Sequence, residues 1–250
     1  MVVLALEAVF VLRFVFPRAG TARRRALNGW WAAKLMRIVG IAIQVEGDPP
    51  PPGAAVVAAN HVSWLDIFAL QAVHPVRFVA KSEIRDWPLA GWIAERAGTL
   101  FIRRGYRREV ARANEHVHSA LAQGDCVGVF PEGTTTDGDT LLRFHASLFE
   151  PAVADGVPVH PCAIRYQHSD GTLCRAVAYV GELSFMQSLG LAIRQRGVVA
   201  RLRFAPAVPT LGSSRREVAA AAHAGVASLL GLSPPHTAPR TPGGRPDAPP

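Results

Sequence analysis

The chain is poor in residues that would define several common classes. It has three cysteines, three methionines and three tyrosines in 250 residues, and only two of its 27 basic residues, Lys34 and Lys81, are lysines. Cys126, Cys162 and Cys174 are too scattered for a disulfide framework, no two form a C-x-x-C pair, and no H-E-x-x-H is present. This pattern excludes a disulfide scaffold and argues against a metal centre. The cysteines read instead as small buried apolar residues of a reducing compartment. The absence of G-x-S-x-G counts against serine-hydrolase chemistry, and the absence of internal repeats against a solenoid. Acidic residues are also scarce, 19 against the 27 basic ones, for a net charge of +8. Nucleic acid, an anionic membrane or a phosphorylated molecule would suit that charge. No helix-turn-helix, zinc-finger or aromatic RNA-binding motif supports the first. A hydrophobic content of 49% is that of a folded chain.

The charge is unevenly placed. Residues 1–45 hold seven basic groups and one acid, Glu7, and the remaining 205 residues hold 20 basic and 18 acidic groups. Residues 1–16 are apolar apart from Glu7 and Arg13. As a helix they extend about 24 Å, short of a ~30 Å hydrocarbon core, so this segment either barely spans a membrane or lies on it. A signal peptide would need a charged leading region and a small-residue cleavage site. Arg18, Arg23, Arg24 and Arg25 follow, and favour keeping the rest of the chain cytoplasmic. Residues 21–45 read as a second helix, with Trp30, Trp31, Leu35, Ile38 and Val39 on an apolar side and Lys34 and Arg37 beside it. This is the pattern of an interfacial membrane helix or of a core helix with a solvated basic face. The expectation is a membrane-associating helical region over residues 1–48, peripheral or single-anchored at the cytoplasmic face of the inner membrane.

Four consecutive prolines, Pro49 to Pro52, then break the pattern. Beyond them, apolar runs at 54–59, 76–80, 99–102, 126–130, 158–166, 176–180 and 200–204 read as strands. Residues 67–73, 87–97, 107–123 and 214–230 read as helices. This alternation predicts an α/β fold, a largely parallel sheet flanked by helices, over residues 54–232. Residues 233–250 contain seven prolines and read as a disordered tail.

Three polar clusters follow directly on predicted strands, where ligands of open α/β sheets bind. In Asn60-His61-Val62-Ser63-Trp64-Leu65-Asp66, the carboxylate of Asp66 is close enough to receive the imidazole N–H and leave the other ring nitrogen as a general base. Ser63 and Asp66 equally match S-x-x-[DE], a helix capping box, which would give His61 no task. In Phe130-Pro131-Glu132-Gly133-Thr134-Thr135-Thr136, Glu132 is placed to fix a polar substrate, and Gly133 lets backbone N–H groups approach a ligand. The same residues also suit a plain tight turn. In Phe101-Ile102-Arg103-Arg104-Gly105, two guanidinium forks suit a phosphate. His145 lies near the second loop, and Val157-Pro158-Val159-His160-Pro161 is a Pro-framed strand entry.

Taken together and in this order, these blocks resemble the glycerolipid acyltransferases, the 1-acyl-sn-glycerol-3-phosphate and related lysophospholipid acyltransferases, over residues 54–205. The resemblance implies that His61 deprotonates a lysolipid hydroxyl and that Asp66 orients His61. It also implies that Arg103, Arg104, Glu132, Gly133 and Thr134 bind the acceptor, with Asn60, Ser63, Lys81 and Pro161 in support. The implied reaction needs no cofactor or metal. Acyl-CoA or acyl carrier protein supplies the acyl group, and the sn-2 hydroxyl of lysophosphatidate receives it to form phosphatidate. Membrane lipids and the lysolipid are the implied partners. Two positions depart from the family pattern: Arg103, where an acid is common, and Phe144-His145-Ala146-Ser147, where Phe-Lys-x-Gly is common. Both bear on the head group, and they keep lyso-ornithine lipid or another lysophospholipid as an alternative acceptor. A non-catalytic basic membrane-binding protein is the alternative of another class.

Overall fold

The computed structural model describes residues 7, 9–86, 90–102 and 107–232. Arg103, Arg104 and the proline-rich tail lie outside the described residues. Seven strands form one sheet in the order β1-β7-β6-β2-β5-β3-β4. They are β1 (Ile41–Glu46), β2 (Ala55–Ala59), β3 (Arg77–Lys81), β4 (Leu100–Ile102), β5 (Cys126–Val129), β6 (Val159–His168) and β7 (Val198–Phe204). Every pairing is parallel except β6 with β7. The helices are α1 (Thr21–Val39), α2 (Leu65–Val73), α3 (Ala90–Arg96), α4 (Arg107–Ala122), α5 (Glu150–Ala154), α6 (Phe185–Arg194) and α7 (Arg215–Leu230).

The central strand β2 is buried at all five positions, because both of its faces are covered. Val57 and Ala59 pack under Leu35, Met36 and Val39 of α1, Leu65, Ala69 and Leu70 of α2, and Ala192 of α6. Val56 and Ala58 pack with Val117 and Leu121 of α4 and Val218, Ala222 and Val226 of α7. A strand covered on both sides has no polar face, so its sequence is a continuous apolar run. Five parallel strands, β6, β2, β5, β3 and β4, therefore bring their carboxyl ends to one edge of the sheet. The three clusters singled out in the sequence follow β2, β5 and β4 at that edge.

Three elements differ from the sequence expectation. The helix expected over 21–45 stops at Val39, where Gly40 adopts φ 86°, a left-handed conformation that ends helices and suits glycine. Residues 41–46 then form β1, parallel to β7. The four prolines thus connect two strands of one sheet. Residues 176–180 form a 3-10 turn, Arg175–Val177, followed by extended chain. They join no strand of the sheet, and Tyr179 N donates to Val62 O at 2.9 Å, binding this segment to the loop after β2. The helix α6 was not expected, although the capping box formed by Ser184 and Gln187 is legible as S-x-x-Q.

The N-terminal region is built into the fold. The inner side of α1 belongs to the core, and Arg25 reaches Asp125 at the start of β5, as does Arg77 Nη1 at 2.8 Å. Trp30 and Ile38 on its outer side are exposed. No helix among the described residues is long and apolar enough to cross a membrane.

Candidate active site

The loop from Asn60 to Trp64 is held from several directions. Asn60 is fully buried. Its side chain accepts from Ile164 N at 2.7 Å and donates to Ile164 O at 2.9 Å. This side chain extends the pairing of β2 with β6 one step beyond its last backbone pair, Ala59 with Cys162. His61 N donates to Glu132 Oε1 at 2.7 Å, and His61 O accepts from Thr136 N at 2.8 Å. The loop after β5 thus clamps both sides of the His61 backbone.

The imidazole is fixed as firmly. Its Nδ1 lies 2.8 Å from Asp66 Oδ2. Its ring stacks on Phe130 at 4.0 Å and 12°, and Phe130 stacks in turn on Phe78 at 5.7 Å and 7°. The His61 side chain keeps 20% of its surface exposed, against 0% for that of Asp66.

Asp66 collects four donors. Oδ2 accepts from Val62 N at 2.7 Å and Ser63 N at 2.9 Å besides His61, and Oδ1 accepts from Tyr166 OH at 2.8 Å. The backbone N–H groups can only donate, so this carboxylate acts as an acceptor throughout and the imidazole proton belongs on Nδ1. The Nε2 lone pair is then free at the exposed side. Half of the alternative capping box forms too: Asp66 caps Ser63 N, but Ser63 Oγ is buried without a hydrogen-bond partner. One side chain in the first turn of α2 ties down the loop that precedes the helix and orients the histidine.

Tyr166 is the residue that sequence reasoning missed. It is 1% exposed, and burial followed by the neighbouring Asp66 charge raises its phenol well above the ordinary range, so it remains a proton donor to Asp66. A buried tyrosine hydroxyl needs a partner, and that need was the available signal. The partner lies 100 residues away in sequence.

Glu132 was expected to bind the acceptor. The structure places it 3% exposed, with Oε1 on His61 N and Oε2 on Leu142 N at 2.8 Å. Both oxygens are occupied by backbone donors, so its visible task is to join the two loops and hold His61. Burial pushes its carboxyl up to about 7, against the pull of Leu142 N and His61 N. Between its ordinary value of 4.5 and about 7, the folded protein keeps a proton that the unfolded chain has lost. Stability from this group is therefore present at low pH and lost as pH rises through about 7. Glu132→Gln turns an amide N–H towards one of the two backbone donors, at a cost of roughly 1–3 kcal/mol, and is expected to flatten the pH dependence across that window. Melting temperatures from acid to neutral pH check this; curves that stay parallel would refute it.

The remaining expected residues divide. Gly133, with φ 77°, makes the turn after Glu132, a conformation strained for any residue with a Cβ. Thr134 is exposed beside it. Thr135 Oγ1 donates to Tyr179 O. His145 is exposed, with its N–H on Pro131 O at 2.8 Å. Pro161 lies away from the imidazole, in β6 beside Ala58 and close against Gly225 of α7. Lys81 ends β3, with its backbone paired with Ile102. Arg103 and Arg104 lie outside the described residues, but β4, which they follow, ends at the same sheet edge as His61. It lies three strands from β2, roughly 14 Å at the usual strand spacing. The three cysteines are buried free thiols, and burial pushes Cys126 up to about 12, as expected of inert core residues.

A family model described as Acyltransferase matches residues 42–165. The chain is 39% identical over 235 residues to a lyso-ornithine lipid O-acyltransferase of Pseudomonas aeruginosa, covering 93% of this chain and 90% of that one. It is 46% identical over 127 residues to a 1-acyl-sn-glycerol-3-phosphate acyltransferase of Neisseria gonorrhoeae, covering 50% of each. Its fold is similar to the crystal structure of the 1-acyl-sn-glycerophosphate acyltransferase PlsC from Thermotoga maritima. That match has a TM-score of 0.61 and 22% identity, over 91% of this chain and 95% of that one.

Proposed function

This chain belongs to the acyltransferase family, and on that premise we propose that it is a lysolipid O-acyltransferase with His61 as general base and lyso-ornithine lipid as acceptor. The observation that carries the chemistry is the imidazole itself: Nδ1 held by Asp66 at 2.8 Å, and the ring stacked on Phe130 and 20% exposed at the sheet edge. Nε2 of His61 takes the proton of the acceptor hydroxyl as its oxygen attacks the thioester carbonyl of acyl-CoA or acyl carrier protein. The C–O bond forms, the tetrahedral intermediate collapses, the C–S bond breaks, and the imidazolium returns its proton to the departing thiolate. Asp66 faces the positive charge that develops on the ring between these two transfers, and Tyr166 and the two backbone N–H groups hold it there. No covalent acyl-enzyme and no cofactor enters this sequence. Thr134, exposed in the loop after β5, and the arginines that follow β4 in sequence are assigned to the acceptor head group.

The choice of acceptor rests on how much of each relative is spanned. The relative matched over nearly its whole length is named for lyso-ornithine lipid, whereas the lysophosphatidate enzyme is matched over half. This reverses the order expected from sequence motifs, which put lysophosphatidate first. Lysophosphatidate remains the second reading, favoured by the higher identity in the matched half and by the arginine pair. The test is acyl transfer by the purified full chain to lyso-ornithine lipid, lysophosphatidate and lysophosphatidylethanolamine, each with acyl-CoA and with acyl carrier protein as donor. Preference for lyso-ornithine lipid in kcat/KM is expected. Preference for lysophosphatidate overturns the acceptor assignment, and no transfer to any lysolipid overturns the reading. A protein acting on such acceptors works at a lipid surface, and the cytoplasmic face is the assigned side.

A further inference from the structure

The two helical layers of the molecule have different outer surfaces. In the layer formed by α1, α2 and α6, five large apolar side chains are exposed: Trp30, Ile38, Phe185, Met186 and Ile193. Among the described residues, α4, α5 and α7, which cover the other face of the sheet, expose none. The charges differ as well. The three helices of the first layer contain Arg23, Arg24, Arg25, Lys34, Arg37 and Arg194, and Asp66 is their one acid, fully buried at the active site. Arg25 turns inward to Asp125 and Lys34 pairs with Glu7; Arg23, Arg24, Arg37 and Arg194 are exposed. The opposite layer mixes Arg215 and Arg216 with Glu217, all three exposed on α7.

Within the first layer, the outer side of α6 is open. Met186 is 70% exposed. Around Gly190, where nothing lies within 4 Å of an added Cβ, a shallow groove of about 380 Å³ runs between Leu183, Met186, Leu191 and Arg194. The inner side of α6 is anchored beside the catalytic loop: Trp64 Nε1 donates to Ser188 Oγ at 3.1 Å, and its ring meets Phe185 at 5.0 Å. A row of aromatic contacts, Trp31–Phe68 at 5.8 Å, Phe68–Trp64 at 5.9 Å and Trp64–Phe185 at 5.0 Å, joins α1 to α6 across α2.

We propose that α6 is a membrane-contact element in its own right, and that the outer surface of the α1–α2–α6 layer lies on an anionic bilayer with Met186 and Ile193 in the headgroup–acyl boundary and Arg194 on a lipid phosphate. Exposed apolar side chains with arginines and no exposed acid on the same helices match such a surface. A bilayer supplies both counterparts over the whole of a convex helical surface, acyl chains for Met186 and Ile193 and phosphates for the arginines. This orientation puts the N-terminus of α2, and with it His61, at the margin of the contact, where a lysolipid hydroxyl reaches Nε2 without leaving the membrane surface. The proposal rests on the lysolipid reading and goes beyond it by assigning a surface outside residues 1–48.

The test is co-sedimentation of the full chain with vesicles of phosphatidylcholine alone and of phosphatidylcholine with phosphatidylglycerol. Met186→Gln/Ile193→Gln is expected to weaken partitioning by about tenfold or more, and Arg194→Gln to weaken it on the anionic vesicles only. Turnover of a detergent-dispersed lysolipid stays unchanged in both. Partitioning equal to that of the unaltered chain overturns the role of α6. So does binding to an acidic carrier protein through this face without binding to vesicles. If the double variant misfolds, Met186→Cys carrying an environment-sensitive fluorophore replaces it: a blue shift with anionic vesicles is expected, and no shift overturns the proposal. A chain that acylates lysolipid in detergent but fails these tests loses the surface alone. A chain inactive on every lysolipid loses the reading beneath it.

Discussion

His61→Ala is expected to lower acyl transfer by about 10²- to 10⁴-fold, the usual contribution of a positioned general base, with little loss of stability. The methyl group keeps the backbone through which His61 N meets Glu132 and His61 O meets Thr136. Asp66 keeps three of its four donors, Val62 N, Ser63 N and Tyr166 OH. What disappears is the stacked, partly exposed ring and its Nε2. Initial rates of thiol release from acyl-CoA, measured beside the melting temperature, check both halves. A variant that melts normally and retains near-normal turnover would overturn the mechanism.

The second large effect separates charge from position at Asp66. Asp66→Ala leaves four buried or half-buried donors without an acceptor. It is expected to cost several kcal/mol of stability, on the order of the 3–5 kcal/mol seen when one partner of a buried charged network is removed. Asp66→Asn is different. With its carbonyl oxygen turned to Val62 N, Ser63 N and His61 Nδ1, the new side chain satisfies the loop, and its amide donates to the Tyr166 hydroxyl, which also accepts. The ring keeps its tautomer, but no negative charge faces the imidazolium. Turnover is expected to fall by about 10²-fold or more with KM little changed, while the melting temperature stays nearer the unaltered value than that of Asp66→Ala. Tyr166→Phe removes one donor and leaves the charge in place. It is expected to slow turnover only a few-fold, less than either substitution of Asp66. Equal melting temperatures for Asp66→Asn and Asp66→Ala would show that the four hydrogen bonds do not hold this loop.

The His61–Asp66 pair was legible because its two members lie five residues apart, within one strand-to-helix turn, so local geometry alone decides that they meet. Glu132 was legible as a polar group at the same sheet edge, but its task was not. Whether a carboxylate faces a ligand or two backbone N–H groups depends on which loop lies across from it, here the chain at His61 and at Leu142. Tyr166 was invisible for the same reason at longer range. The strand β1 was hidden by helical periodicity that runs past Gly40. The helix α6 was hidden because its apolar residues do not all face inward: Met186 and Ile193 belong to its exposed side.

The sequence by itself determined the α/β class, the parallel central strands and the turn that brings His61 to Asp66, because apolar runs, glycine and proline breaks and short spacings act within a few residues. Only the tertiary structure decided that β1 completes the sheet, that Glu132 and Tyr166 hold the histidine–aspartate pair, and that α1 and α6 expose apolar side chains beside arginines. Each of these depends on partners far apart in the chain, and burial and hydrogen-bond satisfaction select such partners only when the whole core closes.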